Sequence, residues 1–103
     1  MINQIKEVWK GERRYIVFEV RRRKEEDFAV DSVYCRVVDS DGNVIEEGNG
    51  EIDDKEVYYF FDTTKAKYIP DKIYTVCFDV EIVGMPKLLV SNCQVKVKKR
   101  ICA

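Results

Sequence analysis

The chain has 103 residues, a length that predicts a single domain spanning residues 1–103. Hydrophobic residues make up 46% of the sequence, which is typical of a folded chain, and no apolar run is long enough to cross a membrane. With 18 Lys and Arg against 19 Asp and Glu, the balanced charge argues against general binding to nucleic acid or to an acidic membrane.

The first half of the chain predicts β-strands, because apolar residues recur there with a period of two. A short segment at residues 5–9 precedes a strand at 15–20, which runs into the basic cluster 21–24; such charges commonly guard an edge strand. A strand at 33–38 and its return at 44–47 flank Asp41-Gly42, a pair that favours a tight hairpin turn. Ile16, Phe18 and Val20 share one face of the first long strand, and Val33, Cys35 and Val37 share one face of the second.

The acidic residues around this hairpin have several interpretations. Residues 39–47 superficially resemble a calcium loop, but the glycine and the final Glu of such a loop fall out of register, so the hairpin is favoured. A weak surface calcium site and a glycosidase-like carboxylate pair are alternatives for the stretch 46–56. We interpret that stretch as a solvated loop; its carboxylates are Glu46, Glu47, Glu51, Asp53, Asp54 and Glu56.

The second half of the chain predicts three more strands. Residues 57–61 are apolar on both faces, as in a central or interface strand, and residues 62–68 form a loop or one helical turn that stops at Pro70. A strand at 74–82 and a last strand at 89–97 are separated by a turn at Gly84-Met85-Pro86. One face of the former holds Tyr74, Val76, Phe78, Val80 and Ile82, and the inside of the latter holds Leu89, Cys93, Val95 and Val97. About seven strands at this spacing predict an all-β domain, either an antiparallel sandwich or a small barrel.

The N-terminal segment lacks the features of a signal peptide, which predicts a cytoplasmic location and free thiols in a reducing compartment. The four cysteines, Cys35, Cys77, Cys93 and Cys102, contain no C-x-x-C pair and so predict no zinc ribbon or thioredoxin-like motif. Cys35 and Cys93 are expected inside and Cys77 outside, with Cys102 on the tail; a Cys35–Cys93 disulfide stays open as an alternative. The charged fraction of 36% favours a thermophilic source, for which high solubility is the competing explanation.

No catalytic constellation is recognisable in the sequence. The absence of histidine excludes the Ser-His-Asp and Cys-His arrangements and removes the commonest transition-metal ligand. Neither a G-x-G-x-x-G loop nor a Walker-type phosphate loop occurs. We therefore predict a protein that is not an enzyme and has no catalytic, cofactor-binding or metal-binding residues.

The aromatic residues are the main candidates for a binding surface. Tyr34, Tyr58 and Phe60 are expected on outer strand faces, where an aromatic patch marks a protein partner or a sugar surface, although such residues also pack across strands. Together with the basic clusters, Tyr15, Tyr34 and Tyr58 could also stack on nucleic acid. The acids that follow the first basic cluster and a sequence pI near 5.5 argue against that interpretation.

Residues 70–80 resemble the entry to strand F of immunoglobulin-like (Ig-like) domains, where a turn, a tyrosine and an alternating strand follow one another. The resemblance implies that Tyr74 ties back to the preceding turn. Val76 stands where antibody-type domains have their second core cysteine and no mid-chain Trp exists, so no inter-sheet disulfide is implied.

The whole chain is similar, by Gly11-Glu12, a turn containing Phe28 and the Asp41-Gly42 hairpin, to small Ig-like proteins of bacterial prophages, including the N-terminal domain of phage baseplate upper proteins. This resemblance implies a single Ig-like β-sandwich in a virion or assembly component, without catalytic residues. The leading hypothesis is thus a non-enzymatic interaction module that self-associates or docks on a larger assembly, in the cytoplasm or on the virion. The alternative is a carbohydrate-binding module, with or without calcium.

Overall fold

The computed structural model describes residues 5–20, 29–84 and 88–99. Within these ranges the chain is all-β and contains no helix, which confirms the predicted class. The basic cluster 21–24, the Phe28 turn, Met85-Pro86 and Cys102 lie outside the described residues. The strands are β1 (Lys6–Trp9), β2 (Arg13–Glu19), β3 (Val30–Val38), β4 (Val44–Asn49), β5 (Glu51–Asp53), β6 (Glu56–Asp62), β7 (Lys72–Ile82) and β8 (Leu88–Lys98).

The strands form two separate sheets rather than one closed barrel. One sheet has the order β1-β8-β7-β3-β4 and the other the order β2-β6-β5. Neighbouring strands are antiparallel except β1 and β8, which pair in parallel. The chain therefore passes from one sheet to the other after β1, β2, β4 and β6, and its first strand lies beside its last.

One hydrophobic core lies between the two sheets, because the inward residues of both belong to a single cluster. The predicted alternation along β3 and β7 is confirmed: every second residue is buried, from Val33 to Val37 and from Tyr74 to Ile82. Phe18 and Cys93 are half-buried against the same core. The buried set is Val8, Ile16, Val20, Val33, Cys35, Val37, Val57, Tyr59, Phe61, Tyr68, Tyr74, Val76, Phe78, Val80, Ile82, Val95 and Val97.

The acidic stretch 46–56 is not the solvated loop that the sequence predicts. It contains the second half of β4, all of β5 and the start of β6, joined by a turn in which Asp54 has φ 55°. The error has a physical cause, since β5 is a short edge strand exposed at all of its residues and so shows no alternation. The return strand predicted at 44–47 is longer in the structure, because β4 extends through Gly48 and Asn49.

Two turns form as predicted. At the Asp41-Gly42 hairpin, Gly42 has φ 87° and its N–H donates to the Asp39 carbonyl at 3.1 Å, while an Asp39 carboxylate oxygen accepts the N–H groups of Asp41 and Asn43. Before β7, the Tyr74 hydroxyl accepts the Ile69 N–H at 2.8 Å and donates to the Lys67 carbonyl at 3.3 Å.

Candidate functional site

The outer surface of the three-stranded sheet has an aromatic face, which we define as Tyr15, Val17, Tyr58 and Phe60. Tyr15 lies opposite Phe60, and Val17 opposite Tyr58, in the register of β2 with β6. The Tyr15 ring centroid is 5.2 Å from that of Phe60 and 6.1 Å from that of Tyr58. Tyr15 and Phe60 remain 48% and 45% exposed, so the rings support one another without being covered.

The sequence pattern produces this face because β6 is apolar on both sides. Val57, Tyr59 and Phe61 enter the core, and the intervening Tyr58 and Phe60 are left on the solvent side of a strand that is central in its sheet. Residues 57–61 are thus both central and outward-facing, as the double apolar pattern predicts. A central strand is held by hydrogen bonds on both edges, and this gives the face a rigid backbone.

Carboxylates lie at one end of the aromatic face. Glu51 of β5 is opposite Tyr58, and Asp53 is opposite Glu56. A shallow depression of about 340 Å³ lies here and is lined by Tyr15, Glu51, Ile52, Asp53 and Tyr58. The other end of the face is closed by the ion pair between Arg13 and Asp62, 3.6 Å apart.

These surroundings raise the pKa of the Tyr58 hydroxyl. Partial burial is the main cause that raises its pKa, and the negative charges of Glu56 and Asp53, with a hydrogen bond to Glu56, raise it further. The hydroxyl therefore stays protonated at neutral pH and can donate a hydrogen bond. The depression therefore offers a protonated phenol beside the carboxylates of Glu51 and Asp53.

Tyr34 does not belong to the aromatic face, because it lies on β3 in the other sheet. There the Arg36 guanidinium stands 5.1 Å from the Tyr34 ring centroid, bonds to the Asp79 carboxylate and lies 3.7 Å from Glu47. Its neighbours hold the pKa of Arg36 above its usual value, chiefly through the hydrogen bond to Asp79. Around Tyr34 the outer surface is therefore a polar network in which Arg36 is paired with Asp79 and Glu47, in contrast to the aromatic face.

The described cysteines, Cys35, Cys77 and Cys93, are free thiols. Cys35 and Cys93 both face the core, as predicted, but β3 and β8 lie in one sheet on either side of β7. Two strand spacings separate them by roughly 10 Å, which is too far for a disulfide. Burial raises the pKa of Cys35 to about 12, with the Asp79 charge as a lesser cause, so this thiol stays protonated near neutral pH.

A half-buried polar cluster at one end of the domain escapes sequence analysis. Glu46, expected in solvent, accepts hydrogen bonds at 2.6 Å from both the Lys65 ammonium and the Tyr68 hydroxyl. Burial alone would raise its pKa, but the hydrogen bonds from Lys65, Tyr68 and Tyr59 together hold the pKa of Glu46 below its usual value. Glu46 lies on β4 and Tyr59 on β6, so the cluster joins the two sheets and has a structural role.

Thr63 is a second residue that the sequence does not single out. It is fully buried, its hydroxyl lies within hydrogen-bond distance of the Trp9 and Glu12 carbonyls, and it accepts the Gly11 N–H at 2.9 Å. These bonds fix the β1–β2 turn to the end of β6. No local pattern signals such a position, because the partners lie some fifty residues away in sequence.

Other features of the described residues give no further direction to function. No group of His, Cys, Asp and Glu is arranged there to hold a metal ion. No helix in the described ranges has the length and apolar character that crossing a membrane requires. Comparison of the chain with models of known families, with curated proteins and with solved structures finds no match.

Proposed function

We propose that the domain is an Ig-like β-sandwich. In the constant-type Ig fold, strands A, B, E and D form one sheet and strands C, F and G the other. Here β2, β6 and β5 lie together in the order expected of B, E and D, and β3, β7 and β8 lie together in the order expected of C, F and G. The hydrogen bonds from Tyr74 to the turn at residues 67–69 match the tyrosine corner of that fold. The departures are β1, which pairs with β8 instead of β2, and β4, which adds a strand beside β3.

We propose further that the domain is a non-enzymatic interaction module that docks on a protein partner through the aromatic face. The observation behind this proposal is the cluster of Tyr15, Tyr58 and Phe60 on the outside of a chain that is 36% charged. Tyr and Phe are enriched in the buried centres of protein interfaces, whereas Asp, Glu and Lys are depleted there. The resemblance to prophage Ig-like proteins supports a virion or assembly component as the setting.

The geometry also suits docking on energetic grounds. Aromatic side chains lose little conformational entropy on binding, and the rings of Tyr15 and Phe60 already restrict one another. Covering them removes apolar area from water, and Arg13, Asp62 and Glu51 form a polar rim. An aromatic centre with a polar rim is the usual arrangement of an interface hot spot.

The test is binding to the products of the flanking reading frames. Each product is mixed with the full chain, and complex formation is followed by size-exclusion chromatography and calorimetry. We expect one flanking product to bind and the Phe60→Ser variant to weaken its binding at least about tenfold, as loss of a hot-spot ring does. Val44→Ser is the matched control, because Val44 is also an exposed apolar strand residue but lies in the other sheet. Equal weakening by both variants, or full binding by Phe60→Ser, would contradict the proposal.

A carbohydrate is the second candidate ligand, and the depression beside Tyr58 favours it. Sugars stack on aromatic rings and donate hydroxyl hydrogen bonds to carboxylates, and Glu51 and Asp53 line the depression with Tyr15 and Tyr58. A glycan array probed with and without calcium tests this. Binding that is lost in Tyr58→Ala and retained in Tyr34→Ala, whose ring lies on the other sheet, would favour the sugar over the protein. If the chain binds no glycan on the array, the carbohydrate proposal is wrong.

A further inference from the structure

We infer that the protein partner places an arginine side chain in the depression at the end of the aromatic face, between two tyrosine rings and two carboxylates. The depression is lined by Tyr15, Tyr58, Glu51, Asp53 and Ile52. The inference rests on the docking proposed above, and it names the chemistry of the residue that docks.

The two tyrosine rings form the apolar walls of the depression. The planes of the Tyr15 and Tyr58 rings stand at 84° to each other with their centroids 6.1 Å apart, so they form a corner and not one flat platform. The face of an aromatic ring is negative, and a cation within about 6 Å of the ring centroid is attracted to it. Aromatic walls of this kind bind ammonium and guanidinium groups in many proteins. The corner therefore suits a cationic group.

The two carboxylates lie on the same side of the sheet as the rings. Glu51 is opposite Tyr58 in the register of β5 with β6, whereas Ile52 is opposite the buried Val57. Alternation along β5 therefore places Glu51 and Asp53 together on the outer face. Partial burial is the main cause of the raised pKa of Tyr58, and the charge of Asp53 is a further cause, so the negative potential reaches the ring. Among the described residues that line the depression, every charged one is acidic, and this charge is complementary to a cation.

The other sheet of the same domain shows this combination with a cation in place. There the Arg36 guanidinium stands 5.1 Å from the Tyr34 ring centroid, bonds to the Asp79 carboxylate and lies 3.7 Å from Glu47. A tyrosine ring and two carboxylates thus hold an arginine on an outer strand face. β3 supplies that arginine two residues after its tyrosine, where β6 has an aromatic residue instead. On the three-stranded sheet, the matching cation comes from the partner.

Arginine fits the depression better than lysine does. The guanidinium is planar, so it stacks on a ring face while it donates two parallel N–H bonds to a carboxylate. The lysine ammonium is compact and strongly hydrated, and it has no flat face to stack. Arginine is also enriched in protein interfaces, whereas lysine is depleted there.

A small probe tests the depression separately from the partner. The isotope-labelled full chain is titrated at low salt with N-acetyl-argininamide, and in parallel with N-acetyl-citrullinamide, which has the same length and a planar head but no charge. Binding is followed by the NMR shifts of the backbone amides. We expect the arginine probe to shift the signals of Tyr15, Tyr58 and β5, and to bind at least about fivefold more tightly than the citrulline probe, as a cation–π contact implies.

Paired neutral substitutions test the two carboxylates. Glu51→Gln combined with Asp53→Asn is expected to abolish the preference for the arginine probe and to weaken binding of the flanking product at least about tenfold. Asp31→Asn combined with Glu81→Gln is the matched control, because it removes the same charge from exposed residues of the five-stranded sheet. The control is expected to keep the preference. The amide spectrum of each variant also reports whether the rest of the domain is folded.

Three outcomes would overturn the inference. The first is equal binding of the two probes to the original chain, and the second is a preference that survives the Glu51→Gln and Asp53→Asn substitutions. The third is a flanking product that these substitutions do not weaken although Phe60→Ser does, which would leave docking at the aromatic face intact. The proposed docking itself fails by a different result, full binding of the flanking product by Phe60→Ser, which the probe titration does not measure.

Discussion

Gly50 marks the point where the chain leaves the five-stranded sheet after β4 and enters the three-stranded sheet at β5. Its N–H donates to the Val33 carbonyl at 3.0 Å. A methyl group added at Gly50 would lie 2.8 Å from the Tyr58 carbonyl oxygen, 2.9 Å from Cys35 Sγ and 2.9 Å from Val33 Cγ1. Two of these neighbours are buried side chains and the third is the backbone of a central strand, so none can yield without moving a sheet.

The expected cost of Gly50→Ala follows from these contacts. Forcing a methyl group into a packed site typically destabilises a protein by about 1–3 kcal/mol. Because three clashes occur together here, we expect Gly50→Ala to lower the free energy of unfolding by at least about 2 kcal/mol. For a domain of this length each kcal/mol lowers Tm by roughly 4–8 °C. The melting temperature is therefore expected to fall by at least about 8 °C, with a matching fall in the urea midpoint.

Gly48→Ala is the matched control. Gly48 is two residues away in β4, and an added Cβ there meets no atom within 4 Å. Alanine at such a position restricts the unfolded chain and is expected to raise stability by about 0.4–1 kcal/mol. Both variants are compared by urea unfolding and calorimetry. Equal stability of the two variants would refute the argument that Gly50 is needed for close approach of the sheets.

Three further predictions concern groups in the core or at its margin. Thr63→Val leaves the Gly11 N–H without its partner and is expected to cost about 1–3 kcal/mol in urea unfolding, whereas Thr75→Val, on the outer side of β7, is expected to cost little. Because folding lowers the pKa of Glu46, its carboxylate stabilises the fold above the ordinary pKa of 4.5, and this stabilisation is lost as the pH falls through the folded value. Glu46→Gln is therefore expected to flatten the acid side of a plot of unfolding free energy against pH. An unchanged acid side would contradict this prediction. The pKa of Cys35 is raised to about 12, so mass spectrometry after iodoacetamide treatment at pH 8 is expected to find Cys35 alkylated only after unfolding; early alkylation would show that this part of the core opens.

Period-two patterns along single strands account for the part of the fold that the sequence predicts well. In β7 the alternation of Tyr74 to Ile82 with polar residues is nearly complete, and the structure follows it residue by residue. The same logic fails for β5, because all three of its residues are exposed and no face is hidden from water. Alternation of apolar and polar residues arises because one face of a strand is buried. A strand with no buried face therefore shows no alternation in its sequence.

Pairing between distant segments explains what the sequence leaves out of the site. Tyr34 and Tyr58 have similar outward positions in their strands, yet they lie on different sheets, and only the strand order separates them. Tyr15 joins Tyr58 and Phe60 through the register of β2 with β6, about forty residues apart. The chemistry of the face was therefore visible as residue types, while its membership depended on contacts that no short window contains.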